Sequence, residues 1–291
     1  EIHERLVGSE MCIRDSIYTK CHQEAKLFII VATLLSLCFL VILLCLASVF
    51  FWARDNREVE KITKGITKDI ETTEIEDSNQ TELINPPVDT MSDYWYYIKM
   101  NLFEVDFSKL KEKNSDTVAW IKVEGTNINY PVVQTTDNSY YLNHSYRKKE
   151  NKAGWVFMDY RNNPVEWNSN TIIYAHSRYD STMFGSLKKI LTDKWLKNKD
   201  NYIVKFSTPY ENTMWQVFSV YSIESESYYI TPTFSTIEEY QSFLSTLKSR
   251  SIHDFSTELN TNDKIITLST CQDNYGNRIV LHAKLIKRVK R

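Results

Sequence analysis

Cysteine is scarce in this chain and unevenly spread. Of 291 residues five are cysteine, and four of these, Cys12, Cys21, Cys38 and Cys45, precede residue 50. Cys271 stands alone in the remainder, so it can close no intrachain disulfide there and contribute to no multi-cysteine metal site. Glycine and proline are also few, six each, and no internal repeat is visible. Neither sign of charge is in excess: 35 basic side chains face 37 acidic ones, a formal net charge of −2. That balance leaves no electrostatic footprint for a nucleic-acid partner. Charge is missing altogether from one stretch, "LFIIVATLLSLCFLVILLCLASVFFWA" at residues 27–53. The run exceeds the roughly 20 apolar residues that span a bilayer as a helix. It is too long for the apolar region of a cleaved signal peptide, about 7 to 15 residues. An uncleaved anchor is therefore expected, with Trp52 and its neighbouring phenylalanines at the interface belt and Cys38 and Cys45 as apolar filler. Lys20 and Lys26 before the run and Arg54 and Arg57 after it do not decide its orientation.

On either side of the anchor the composition changes. The first sixteen residues, "EIHERLVGSEMCIRDS", differ in character from the rest of the chain, and "SEMCIRDS" resembles translated adapter read-through. They are read as an assembly artefact and set aside from fold reasoning. Residues 54 to about 90 are acidic and threonine-rich and end in Pro86-Pro87, the composition of a partly disordered tether, with a helix over 58–70. Aromatic residues return densely from Asp93.

Beyond Asp93 a short helix is expected over Phe107–Lys113, then eight β-rich runs: VAWIKV, INYPVVQ, GWVFMDY, NTIIYAH, NYIVKF, MWQVFSVYSI, KIITLSTC and RIVLHAKLI. Eight short strands between polar turns predict a mainly β domain, a closed or nearly closed barrel. Ile237, Tyr240, Phe243, Leu244 and Leu247 recur at helical spacing, so a helix over about 236–250 is inserted before the seventh strand. Ser235 and Glu238 supply its expected capping box. A further short helix is expected in DSTMFGSLKKI.

The last hairpin can be read by side-chain parity, since neighbours along a strand point to opposite faces. Ile279, Leu281, Ala283 and Leu285 form one apolar face, and Ile266 and Leu268 another, so Thr267, Ser269, Cys271, Arg278 and His282 lie off the core. A thiol beside a guanidinium has a stabilised thiolate, the nucleophilic form. Such a nucleophile needs a proton-transfer partner. His144, His176, His253 and His282 are available, and His176 is favoured because it ends an apolar strand where a loop begins.

These residues carry a resemblance. "TLSTC" followed by Arg278, "NTIIYAHSRYDSTMFGSL" and "VAWIKVEGTNINYPVVQTTDNSYYL" are similar to the signature segments of sortases, from about residue 107 to 287. The helix before the seventh strand, the "DNSYYL" stretch and the N-terminal anchor resemble class B sortases most closely. The resemblance implies an eight-stranded sortase barrel over 93–291, a short cytoplasmic N-terminus over 1–26 and an extracellular linker over 54–92. It implies a membrane-bound cysteine transpeptidase, needing no metal or cofactor, on the outer face of a Gram-positive cell. Its partners would be secreted proteins with a C-terminal sorting motif, NPxTx or PPxTG-like, and an amine of the peptidoglycan precursor. Position by position, Cys271 is the implied nucleophile, His176 the general acid and base, and Arg278 the binder of substrate and oxyanion. Asn138, Leu142, Tyr229, Ile230 and Ser269 match positions lining the sorting-peptide groove, with Ser225 a weaker candidate and core packing the competing role for Leu142 and Ile230.

Two positions depart from the family pattern. Ala175 stands where glycine usually precedes the histidine, and Gln272 where some members have an acidic or small residue. The last residues, "AKLIKRVKR", have no apolar tail, which favours the enzyme over a substrate of one. Three alternatives stay open on sequence: a pilin-polymerising sortase of another class, a thiol peptidase that only hydrolyses, and an anchored binding protein with an incidental cysteine.

Overall fold

The computed structural model describes residues 2–69, 72–75, 80–270 and 276–291. Two compact units emerge, one running to Arg54 and one from Asp55 to Arg291. The first belongs to a single long helix, α1 (Ile2–Asp69). Its apolar residues from Leu27 to Trp52 are largely exposed, and α1 is long and apolar enough to cross a membrane.

The second unit begins with the last turns of α1. Val59, Ile62 and Ile66 recur on one helix face and are buried in the main core. The tether expected over 54–92 is thus in part built into the globular unit. Three apolar residues at helical spacing anchor it, a stripe that the acidic average composition conceals. Next come strand β1 (Thr72–Ile75), β2 (Thr81–Leu83), α2 (Tyr94–Tyr97) and β3 (Leu102–Val105), with β1 and β3 forming an antiparallel ribbon. Helix α3 is Phe107–Lys113, as the sequence predicts, capped where the Asp106 carboxylate accepts from the Ser108 amide.

All eight expected strands are present: β4 (Thr117–Val123), β5 (Asn129–Val133), β6 (Phe157–Met158), β7 (Asn170–Ala175), β8 (Ile203–Ser207), β9 (Glu211–Glu224), β10 (Ile265–Thr270) and β11 (Asn277–Lys290). Their hydrogen-bonded order is β10-β7-β6-β5-β4-β8-β9-β11, and β11 pairs back onto β10, which closes the barrel. Strand β2 adds a ninth member on the far side of β11. Most pairs are antiparallel, but β5 and β6 run parallel, as do β7 and β10, with Thr270 beside Ala175 at the ends of the latter pair.

Between β8 and its predecessor the segment DSTMFGSLKKI supplies a 3-10 helix, Gly185–Leu191, followed by the single turn α4 (Asp193–Leu196). Helix α5 (Ile237–Ser249) lies between β9 and β10. Its cap differs from expectation by one residue. Thr236 is the N-cap and accepts from the Glu239 amide, while the Glu239 carboxylate accepts from the Ser235 amide. The slip arises because Glu238 and Glu239 are adjacent and either satisfies the sequence pattern.

Two cores result. Ile266, Leu268, Leu281 and Ala283 face the barrel interior, with Trp120, Val132 and Ile172. Tyr240, Phe243, Leu244 and Leu247 of α5 cover Phe218, Tyr221, Ile265 and Val280 on the other face. Each such side chain contributes about 1.5–3 kcal/mol on burial, and α5 thereby covers Ile265 and Val280 on the off-core face of the last hairpin.

Candidate active site

The parallel pairing of β7 and β10 organises the site. Both strands are buried throughout, which is why they read as continuous apolar runs. Ala175 is fully buried, so the methyl that departs from the family pattern is accommodated at the end of the strand. His176 leaves β7 one residue beyond the Thr270–Ala175 pair. Cys271 lies outside the described residues; it comes directly after Thr270 in sequence. The Thr270 hydroxyl accepts from the Ile279 amide and so ties the end of β10 to the start of β11.

His176 is partly buried, and its Nε2 lies 2.6 Å from the Leu142 carbonyl oxygen. A carbonyl only accepts, so Nε2 carries hydrogen and Nδ1 holds the lone pair of the neutral ring. Burial lowers the pKa of this imidazole below its ordinary value, the Leu142 bond raises it in part, and the Arg178 charge lowers it further. Gly154 makes this approach possible. Its φ is +60°, and a Cβ there would sit 2.6 Å from the Tyr141 carbonyl oxygen and 2.9 Å from Cδ2 of His176. Only glycine fits, and sequence reading did not single it out because an isolated glycine has no spacing to read.

Arg278, partly exposed at the start of β11, donates from Nε to the Ser225 hydroxyl at 3.1 Å. Ser225, a weaker candidate on sequence, is therefore Arg278's described partner. Tyr229 is fully buried, and its hydroxyl pairs with the Ser269 hydroxyl at 3.0 Å. Burial raises the Tyr229 pKa, and Ser269 and Arg278 partly offset the rise. Leu142 and Ile230 are both partly buried against the core, so each has a packing role and a remaining exposed surface.

Asn138 is held from both ends of its amide. Nδ2 donates to Asp159 at 3.0 Å and Oδ1 accepts from the Tyr160 amide at 3.0 Å. Its loop is shaped by Asp137, whose carboxylate accepts from the Ser139 and Tyr140 amides. The other three histidines are engaged in packing. His144 stacks on Tyr140 at 4.0 Å, His253 bonds Tyr202, and His282 is buried beneath α5. Sequence parity correctly put His282 off the barrel core, but α5 makes that face a second interior.

A family model described as a sortase domain matches residues 121–286. Sortase B of Staphylococcus aureus is 38% identical over 184 residues, covering 62% of this chain and 75% of that protein. Sortase B from Bacillus anthracis, solved in complex with AAEK1, is 34% identical with a TM-score of 0.64 and covers 82% of this chain and 99% of that one. A sortase B–substrate complex from S. aureus superposes with a TM-score of 0.58 at 38% identity, over 62% of this chain and 84% of that one.

Proposed function

Since this chain belongs to the sortase family of cysteine transpeptidases, with class B members as its relatives, we propose that it attaches secreted proteins to the cell wall. The proposed substrate carries a C-terminal sorting motif, NPxTx or PPxTG-like, cut after its threonine. The proposed acceptor is an amine of the peptidoglycan precursor. The first unit anchors the enzyme in the membrane through residues 27–53, with the catalytic unit outside.

In the proposed reaction the Cys271 thiol gives its proton to Nδ1 of His176, and the thiolate sulfur bonds to the threonine carbonyl carbon. The carbonyl electron pair moves to oxygen, and the Arg278 guanidinium stabilises that oxyanion. The oxyanion collapses, the C–N bond breaks, and the leaving amine takes the proton from His176. A Cys271 thioester remains. The incoming amine then loses a proton to His176 as it attacks the thioester, and the thiolate departs and is reprotonated. Histidine suits both transfers because its two forms lie close in energy near neutral pH. The lowered pKa of His176 favours the neutral ring that must first accept a proton.

The observation that carries this reading is the β7–β10 register, which pairs the residues immediately preceding His176 and Cys271. The full chain in detergent micelles, beside a Cys271→Ala control, tests it. Each would be incubated with NPxTx and PPxTG peptides, with and without an oligoglycine or diaminopimelate-type amine, and followed by mass spectrometry. Cleavage after threonine with a new amide to the amine, absent from the control, is expected. Activity surviving in Cys271→Ala would overturn the assignment. Cleavage that never yields an amide would mark a thiol peptidase.

A further inference from the structure

A buried ion pair outside the proposed chemistry joins the loops that carry the candidate groove residues. The Asp159 side chain is fully buried just beyond β6, and the Arg161 side chain is 37% exposed. Arg161 grips both carboxylate oxygens, Nε to Oδ1 at 2.9 Å and Nη2 to Oδ2 at 2.7 Å. Oδ2 also accepts from Asn138 Nδ2 at 3.0 Å and from the Tyr174 hydroxyl at 2.9 Å. The same Arg161 Nη2 donates to the Ile230 carbonyl at 2.9 Å.

Three separate parts of the chain thus meet on one carboxylate–guanidinium pair. Asn138 belongs to the connection between β5 and β6, which also carries Leu142, whose carbonyl holds His176. Tyr174 lies on β7 two residues before His176. Ile230 belongs to the loop between β9 and α5. Burial pushes the Asp159 carboxyl up, but the Arg161 bonds outweigh it and hold the group below the usual carboxylate range. The pair is therefore charged at neutral pH. Bidentate charge-assisted bonds fix geometry as well as supplying energy. A buried carboxylate with five donors is also costly to disturb.

We propose that Asp159 and Arg161 are positioning residues that brace the Asn138–Leu142 loop against the Tyr229–Ile230 loop and so set the width of the sorting-peptide groove. This rests on the function proposed above, in which those loops form the groove. The bracket touches neither the thiol nor the scissile bond, so it governs peptide affinity and leaves the chemistry at Cys271 alone.

Arg161→Gln leaves the fully buried Asp159 carboxylate without its counter-charge, so the charge-keeping Arg161→Lys is tested beside it, both in the full chain in detergent, with exchange in the barrel strands reporting that each still folds. Four quantities are read: KM and kcat with the processed peptide, the rate of Cys271 alkylation by iodoacetamide, and backbone hydrogen exchange by mass spectrometry. For Arg161→Gln, KM should rise about tenfold, the effect of one lost charge-assisted bond, with kcat and alkylation within about twofold. Arg161→Lys keeps the charge without the fork and should fall between. Exchange should quicken at residues 136–142 and 227–231 and stay unchanged in β4 and β8. An unmoved KM, a loss confined to kcat and alkylation, or unchanged exchange in both loops would each overturn the bracket. A wild-type chain that processes no peptide overturns the proposed function instead, and the exchange measurement then decides the bracket alone.

Discussion

His176 and His282 are both depressed by burial, yet their partners assign them different work. His282 has no water-facing side. The Thr267 hydroxyl donates to Asn170 Oδ1 at 2.6 Å, so its oxygen accepts from His282 Nδ1 at 2.8 Å, and Nε2 accepts from the Tyr221 hydroxyl at 2.8 Å. The ring is thus fixed as the neutral Nδ1–H tautomer. Burial, with a smaller contribution from the Arg250 charge, pulls its pKa down to about 3. Proton counting gives the sign of the effect on stability. Between about 3 and 6.5 the unfolded chain binds a proton here and the folded chain does not, so stability falls as the pH drops through that window. From pH 7 to pH 5 the cost is about 2 kcal/mol, or about 4–8 °C in Tm. Thermal unfolding followed by circular dichroism should show wild type losing that much more than His282→Gln over the same interval. Equal losses would show that His282 is not buried as the neutral ring. At this scale the sequence is informative where a regular period applies: parity along β10 and β11 placed Thr267, Ser269, Arg278 and His282 on one face. It is silent on Asp159 and Arg161, because an acidic and a basic residue two apart are as common on a solvated loop as in a buried pair. Only the partners brought in by the β5–β6 connection, β7 and the β9–α5 loop distinguish the two.

The elements of the barrel were legible because each is short, apolar and bounded by polar turns, and α5 because five of its residues recur at helical spacing. The helix expected over 58–70 is present as the end of α1, but its burial was not legible, nor was strand β2. Asp55–Asp69 reads as acidic spacer, and its buried stripe of Val59, Ile62 and Ile66 is thin. Strand β2 is three residues long, too short for an alternating pattern, and is specified by pairing Thr81, Glu82 and Leu83 with β11. Both have consequences near the site. The Asp55 carboxylate accepts from the amide of Lys152, two residues from Gly154, and Glu58 accepts from Asn151, while Asn56 accepts from Arg178 in the loop after His176. The helix end therefore braces both loops that frame the imidazole. A chain beginning at Asp55 should unfold at the same temperature as the second unit of the full chain. A chain beginning at residue 70, which keeps β1 and β2, loses three buried aliphatic side chains at about 1.5–3 kcal/mol each, and should unfold at least about 10 °C lower. Matching Tm values for the two would mean that the helix end contributes nothing to the barrel.

For the whole molecule, the question is which side of the membrane the barrel occupies. The residues flanking the apolar run do not answer it, since Lys20 and Lys26 on one side balance Arg54 and Arg57 on the other. The proposed chemistry does. A thioester resolved by a wall amine must form where that amine is, and a substrate with a C-terminal sorting motif reaches the enzyme after export. Under the proposed function an outward-facing second unit satisfies both, with the residues before the apolar run inside. The distribution of cysteine turns this into a measurement, because Cys271 is the only cysteine after residue 50. A membrane-impermeant maleimide applied to intact cells should label the wild-type chain once, and Cys271→Ala not at all. Labelling of Cys271→Ala should appear only after lysis and solubilisation, when the cysteines before residue 50 become accessible. Labelling of Cys271 that requires lysis would put the barrel inside. The proposed acceptor would then be out of reach, and the thiol would have to serve some other substrate.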